Sequence, residues 1–243
     1  MKKKYYLLLI CFGAAFNSIA AENTTEDLVS LKEKINFAIL KVEQTDRALW
    51  SYQISRYEDE EGDISSSIEL HSPQASEPWS LEQINGQLPT QKQIKNFAKK
   101  KLNKENKKNK GNDQEENIQL PLRQLINEES LYLISIDQKQ IVMGFNVYLH
   151  KLGKDSNGKL QGKLVYQKEK QFIEKISIWN NADFSPMFTA NITDLTLTFT
   201  FLNINGAILV KKNEMKMKGS FAYFTEINET SQDDFSGYLY QSE

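Results

Sequence analysis

The chain has 243 residues, a formal charge of −2 and one cysteine, Cys11. That length is enough for one sizeable domain with a core of its own, and the slightly acidic balance argues against nucleic acid as a partner. A lone cysteine excludes an intrachain disulfide.

Residues 1–20 read as an export signal. Lys2, Lys3 and Lys4 precede an apolar run from Tyr5 to Phe16, and Ser18-Ile19-Ala20 places small residues where a signal peptidase reads them. The run is shorter than the about 20 residues a membrane span needs. Cleavage after Ala20 removes Cys11 and leaves 223 residues carrying −5, with no integral span, no disulfide and no thiol nucleophile. The expected location is outside the cytoplasm, and the periplasm where the envelope has two membranes. The mature chain, 21–243, is expected to form a single domain, because no Pro/Gly linker separates two apolar blocks.

From Glu26 to Val42, Leu28, Leu31, Ile35, Ile39 and Val42 recur at helical spacing, with Thr24 or Thr25 as a cap. Trp50, Tyr52 and Ile54 then alternate with polar residues, and the same beat resumes at Ile64, Ile68 and Leu70, which predicts a hairpin. The acidic residues between them, Glu58 to Asp63, read as a solvated loop without the spaced oxygen ligands of a calcium loop. Thr90 and Gln93 have the spacing of a capping box, so a helix starts at Gln91. Ile94, Phe97, Ala98 and Leu102 form its thin apolar side. Nine lysines between 92 and 110 form the other, and about 103–117 is expected to be a flexible insertion.

Leu120, Leu122, Leu125 and Ile126 predict a helical turn or two. Beyond them, alternation from Leu131 to Thr225 predicts an antiparallel meander, for example Ile141, Met143, Phe145, Val147 and Leu149 on one face. Asp155-Ser156-Asn157-Gly158 and Asn205-Gly206 supply turns. Phe184-Ser185-Pro186-Met187-Phe188 reads as a connection whose two phenylalanines tuck into the core. The tail from Glu226 is polar and expected to be poorly ordered, with Phe235, Tyr238 and Tyr240 as docking points.

Catalytic residue types are sparse. His71 and His150 stand apart from any metal-ligand cluster, no Gly-x-Ser-x-Gly occurs, and a carboxylate pair cannot be chosen from sequence because the deciding separation is spatial. A non-enzymatic protein without metal or cofactor is the expectation, with a hydrolase the weaker class. Aromatic residues among the strands are abundant. Trp50, Tyr52, Phe145, Phe199, Phe201, Phe221 and Tyr223 are candidate linings of a space between sheet and helices for an apolar ligand. The alternative is a structural or protein-interaction module with a filled core. Lys104, Lys107, Lys108 and Lys110 form a candidate electrostatic arm for anionic lipid or an acidic partner.

The element order is signal, helix, hairpin, Trp79-x-Leu81-x-x-x-Asn85-Gly86-x-x-Pro89-Thr90, helix, then a meander containing Phe184-Ser185-Pro186. It resembles exported bacterial proteins of the periplasmic lipoprotein carrier and receptor (LolA/LolB-like) superfamily. The resemblance implies a curved, unclosed antiparallel β-sheet, a half-barrel, covered by helices, with a cavity for acyl chains and a lipid or lipidated protein as partner. An envelope protein is the other partner class. No lipoprotein cysteine is present to anchor the chain.

Overall fold

The computed structural model describes residues 27–109, 122–149, 152–222 and 225–242. Helix α1, Leu28–Gln44, is capped by Asp27, whose carboxylate accepts the Ser30 amide at 2.7 Å. That cap is worth about 1 kcal/mol, and it replaces the expected Thr24 or Thr25, which lie outside the described residues. Leu31, Ile35, Ala38, Ile39 and Val42 are buried, whereas Leu28 at the helix start is exposed.

Strands β1, Trp50–Glu60, and β2, Asp63–His71, form the expected hairpin. Its reversal is the pair Glu61-Gly62, both with positive φ, so the acidic run lies mainly within the hairpin strand rather than in a loop. Strand β3, Trp79–Ile84, follows, then α2, Gln91–Asn109, then the single turn α3, Leu122–Leu125. The capping box is present: the Thr90 amide donates to Gln93 Oε1 at 2.8 Å, and the Gln93 amide to Thr90 Oγ1 at 3.4 Å. Helix α2 continues to Asn109, seven residues beyond the last apolar position, where fraying was expected.

The meander comprises β4, Tyr132–Ile136; β5, Gln140–Asn146; β6, Leu160–Gln167; β7, Phe172–Asn180; β8, Phe184–Met187; β9, Ala190–Ile204; and β10, Ala207–Phe221. The Asn205-Gly206 turn joins β9 to β10 as expected, with both residues at positive φ. The tail is not disordered. Residues Thr225–Tyr240 form β11, a long strand lying between β1 and β10.

The half-barrel expectation is corrected by the strand order, β3-β2-β1-β11-β10-β9-β7-β6-β5-β4, with β8 paired to β9 alone. This is an open mixed α/β sheet, neither closed nor strongly curled. The physical reason is visible along one row of facing residues. Met143, Leu164, Ile176 and Phe199 continue through Asn213, Asp233 and Arg56 to Ser67. Cross-strand partners share a face, so along this row the face is apolar over β5 to β9 and polar over β10 to β2. Helix α1 packs on β7 and β10 and fills the apolar part, while α2 sits at the distant β3 edge. The two helices thus pack on different parts of the open sheet rather than over one shared space.

Candidate functional site

The part of this face formed by β11, β1, β2 and β3 carries a cluster of rings centred on Tyr52. Alternation in β1 turns Tyr52 to the same side as Arg56, and pairing sets it opposite His71, itself opposite Trp79. Ring centroids lie 4.8 Å from Tyr52 to His71, 6.0 Å to Trp79, 5.9 Å to Phe235 and 5.4 Å to Tyr238. Trp50 extends the cluster, 6.2 Å from Tyr238 and 5.4 Å from Tyr240, both edge-on. Such tilted and edge contacts are the favoured arrangements for aromatic pairs. His71 Nδ1 is 3.0 Å from the Trp50 carbonyl oxygen, and the Tyr238 hydroxyl donates to the Val210 carbonyl at 2.6 Å.

Burial pushes the Tyr52 hydroxyl up to about 12 and raises Tyr238 as well, so both stay protonated donors at neutral pH. Arg47 shares their surroundings, and its burial lowers the guanidinium from its ordinary value.

The roof over Trp79 is a single lysine of α2. Lys101 Nζ is 3.8 Å from the Trp79 ring centroid, 5.0 Å from that of Phe97, and 2.6 Å from Glu69 Oε2. Glu69 is 5% exposed and also lies 3.7 Å from Arg56, which is 3.1 Å from Asp233. Burial nevertheless raises the Asp233 carboxyl, with Arg56 acting against it. Helix α2 has no fully buried residue among its described side chains, and Leu102 is exposed. The helix is held through half-buried Ile94, Phe97, Ala98 and Lys101.

At the other end of the ring cluster, a cleft of about 550 Å³ opens between the end of α1, the β9–β10 turn, Trp50 and Tyr240. Lys41, Gln44, Asp46 and Asn205 supply its polar lining. Its volume lies within the range of small-molecule sites.

Of the aromatic residues singled out from sequence, Trp50 and Tyr52 belong to this cluster. Phe145, Phe199 and Phe201 lie in the closed core with α1, and Phe221 is exposed at the far end of β10. Tyr223 lies outside the described residues. Those among the described residues therefore do not line one common space. Lys104, Lys107 and Lys108 belong to the backbone of α2, and Lys110 lies outside the described residues. His71, Phe235, Tyr238 and Tyr240 complete the cluster, and only the pairing of β1 with β2 and β11 brings them to Tyr52 and Trp50. Among the described residues, no group of three or more His, Cys, Asp or Glu side chains could hold a metal ion, and no helix is long and apolar enough to cross a membrane.

No family model matches the chain, and no curated protein matches it. A solved DUF1329 family protein from Desulfovibrio piger is similar at 7% identity and a TM-score of 0.31, over 86% of this chain and 92% of that one. A chain of the Pseudomonas aeruginosa MucA/MucB complex is similar at 9% identity and a TM-score of 0.24, over 87% and 99%. Likeness at this level carries no conclusion about fold or activity. The class rests on the geometry: an open, mixed α/β antiparallel sheet with a half-buried aromatic face.

Proposed function

We propose that the chain is a non-enzymatic envelope protein that binds an apolar or acylated ligand on the aromatic face around Tyr52, with the cleft beside Trp50 as the entry. The observation that carries this reading is the cover over that face. Beside the rings lies a helix that has no fully buried residue among its described side chains and that lays Lys101 over Trp79. An apolar chain can take the place of the α2 contacts, meeting Trp79 and Tyr52 below and Phe97 above. The protein works after export and loss of residues 1–20, with a lipid or lipidated protein as the partner class.

The test is native mass spectrometry of gently purified protein, paired with titration of a fluorescent fatty acid against wild type and Trp79→Ala. Copurifying lipid and saturable binding weakened by Trp79→Ala are expected. Protein free of lipid that leaves the probe unbound would refute the reading. The filled core beneath α1 favours a second reading, a protein-interaction module that takes up no ligand, and that same refuting result is the one it expects.

A further inference from the structure

The β1–β2 and β9–β10 reversals turn on a glycine at positive φ, Gly62 and Gly206. The β8–β9 reversal instead turns on an aromatic residue. Met187 pairs with Ala190, leaving Phe188-Thr189 as the turn between β8 and β9. Ala190 also pairs with Phe221 at the end of β10, and the Ala222 amide donates to the Thr189 carbonyl at 2.6 Å. Two chain reversals are thereby bonded side by side at one end of the sheet. Their apolar side chains are out in solvent: Phe188 is 90% exposed, Met187 58% and Phe221 46%. Phe184, the other phenylalanine of this segment, is buried, so Phe188 is set apart from the core by the turn.

The two turns themselves carry no charge, although Asp155, paired with Lys159, accepts the Ser185 amide at 2.8 Å behind them. No charged residue occurs from 184 to 193, or from 219 to 225. The lysine-rich ridge of α2 belongs to the β3 edge of the sheet, whereas β8 and β9 lie on the other side of β10.

We propose that Met187, Phe188 and Phe221 form a membrane-contacting tip that enters the headgroup and upper acyl region of a phospholipid bilayer. Three side chains on chain reversals fall well short of the roughly 800 Å² per partner that a standard protein interface buries. Interfacial insertion has no such threshold, because its strength grows with each apolar group withdrawn from water. Aromatic side chains suit the membrane interface. Backbone bonds to β9 and β10 fix the tip, so little ordering cost attends its insertion. The two turns bring no charge of their own, and the nearby Asp155 is neutralised by Lys159, so the contact is apolar and little affected by salt. This inference does not depend on the ligand proposed for the aromatic face.

The test uses the mature chain from Ala21 and vesicles of phosphatidylcholine, with and without anionic lipid, sedimented at low and high salt. Wild type is expected to associate with both kinds of vesicle, with little salt dependence. Phe188→Ser should bind roughly tenfold more weakly or worse, the effect of leaving one phenylalanine in water. Because Phe188 is almost wholly exposed, the variant should unfold at the wild-type midpoint, which separates lost contact from lost fold. The mature chain has no cysteine, so Phe188→Cys carrying an environment-sensitive dye reports the tip alone, and a blue shift on vesicles is expected. The proposal is overturned by wild type that ignores both vesicles, or by binding that salt abolishes while Phe188→Ser leaves it unchanged. A dye that shifts only with a protein partner overturns it as well.

Discussion

Ile35 lies on the buried stripe of α1 with 0% exposure, within the core that includes Ile176, Phe199 and Ile208. Truncation to alanine removes packing without adding a polar group and should cost about 2–5 kcal/mol, as buried Ile or Leu truncations do. That is a large share of a total stability on the order of 5–15 kcal/mol. Ile35→Asp should cost more, and its cost should depend on pH. In the unfolded chain the new carboxyl titrates near about 3.9, whereas full burial pushes it up by as much as about 3–5 units. Below the unfolded value it is neutral in both states, and only the lost packing and the buried polar group count. As pH rises above it, the unfolded state ionises and the folded state cannot. Each unit then removes about 1.4 kcal/mol until the folded value is reached. Urea unfolding followed by tryptophan fluorescence at pH 4 and pH 7, on wild type, Ile35→Ala and Ile35→Asp, separates the two terms. Equal losses for Ile35→Asp at both pH values, or an unchanged midpoint for either variant, would show that α1 does not seal the core.

Lys101→Met should leave Glu69 buried with only the more distant Arg56 as counter-charge, costing about 3 kcal/mol, the low end for breaking a buried pair; faster hydrogen exchange in 91–109 is the check. Serine at Lys104, Lys107, Lys108 and Lys110 should keep the unfolding midpoint and weaken association with anionic vesicles at low ionic strength, where screening is least; a lowered midpoint would mean these lysines hold the fold. The Ser185 amide and then the Lys159 ammonium hold the Asp155 carboxyl below the usual carboxylate range. Its contribution is present above the ordinary aspartate value and lost as pH falls through the lowered folded value, so carbon-detected titration should place its midpoint below that of a free aspartate. Gly162→Ala puts a methyl 2.3 Å from the Phe145 ring and should cost about 1–3 kcal/mol by overpacking, read as a lowered urea midpoint.

Strands β5, β6, β7, β9 and β10 were legible because their apolar side chains alternate, and α1 because its stripe keeps helical spacing; β4 has no buried side chain, and β8 was read as a connection. Strand β11 was not. Its Glu229, Ser231 and Asp233 face Met217, Met215 and Asn213 on β10, so the beat that marks a buried strand is missing. Backbone ladders on both sides hold it there, and Arg56 meets Asp233 across the β1 border. With β11 taken for a loose tail, the register that brings Phe235, Tyr238 and Tyr240 to Tyr52 and Trp50 could not be seen. The helical end of α2 was missed for another reason: lysine is a good helix former even where it has nothing to pack against. Phe184 and Phe188 read alike in sequence, and only the turn between β8 and β9 sends one inward and the other out.

The place of β11 also governs the order in which the molecule can be assembled. Strands β1 to β3 precede the meander in the chain, yet among the described residues their ladder to the rest of the sheet runs through residues 225–240, which follow it. A polypeptide that emerges amino end first from the ribosome holds its first hairpin apart from β10 until residues 225–240 have arrived. Joining of the two parts of the sheet thus waits for β11. A stop before residue 225 would leave two unjoined pieces of sheet, each with an open edge where β11 belongs.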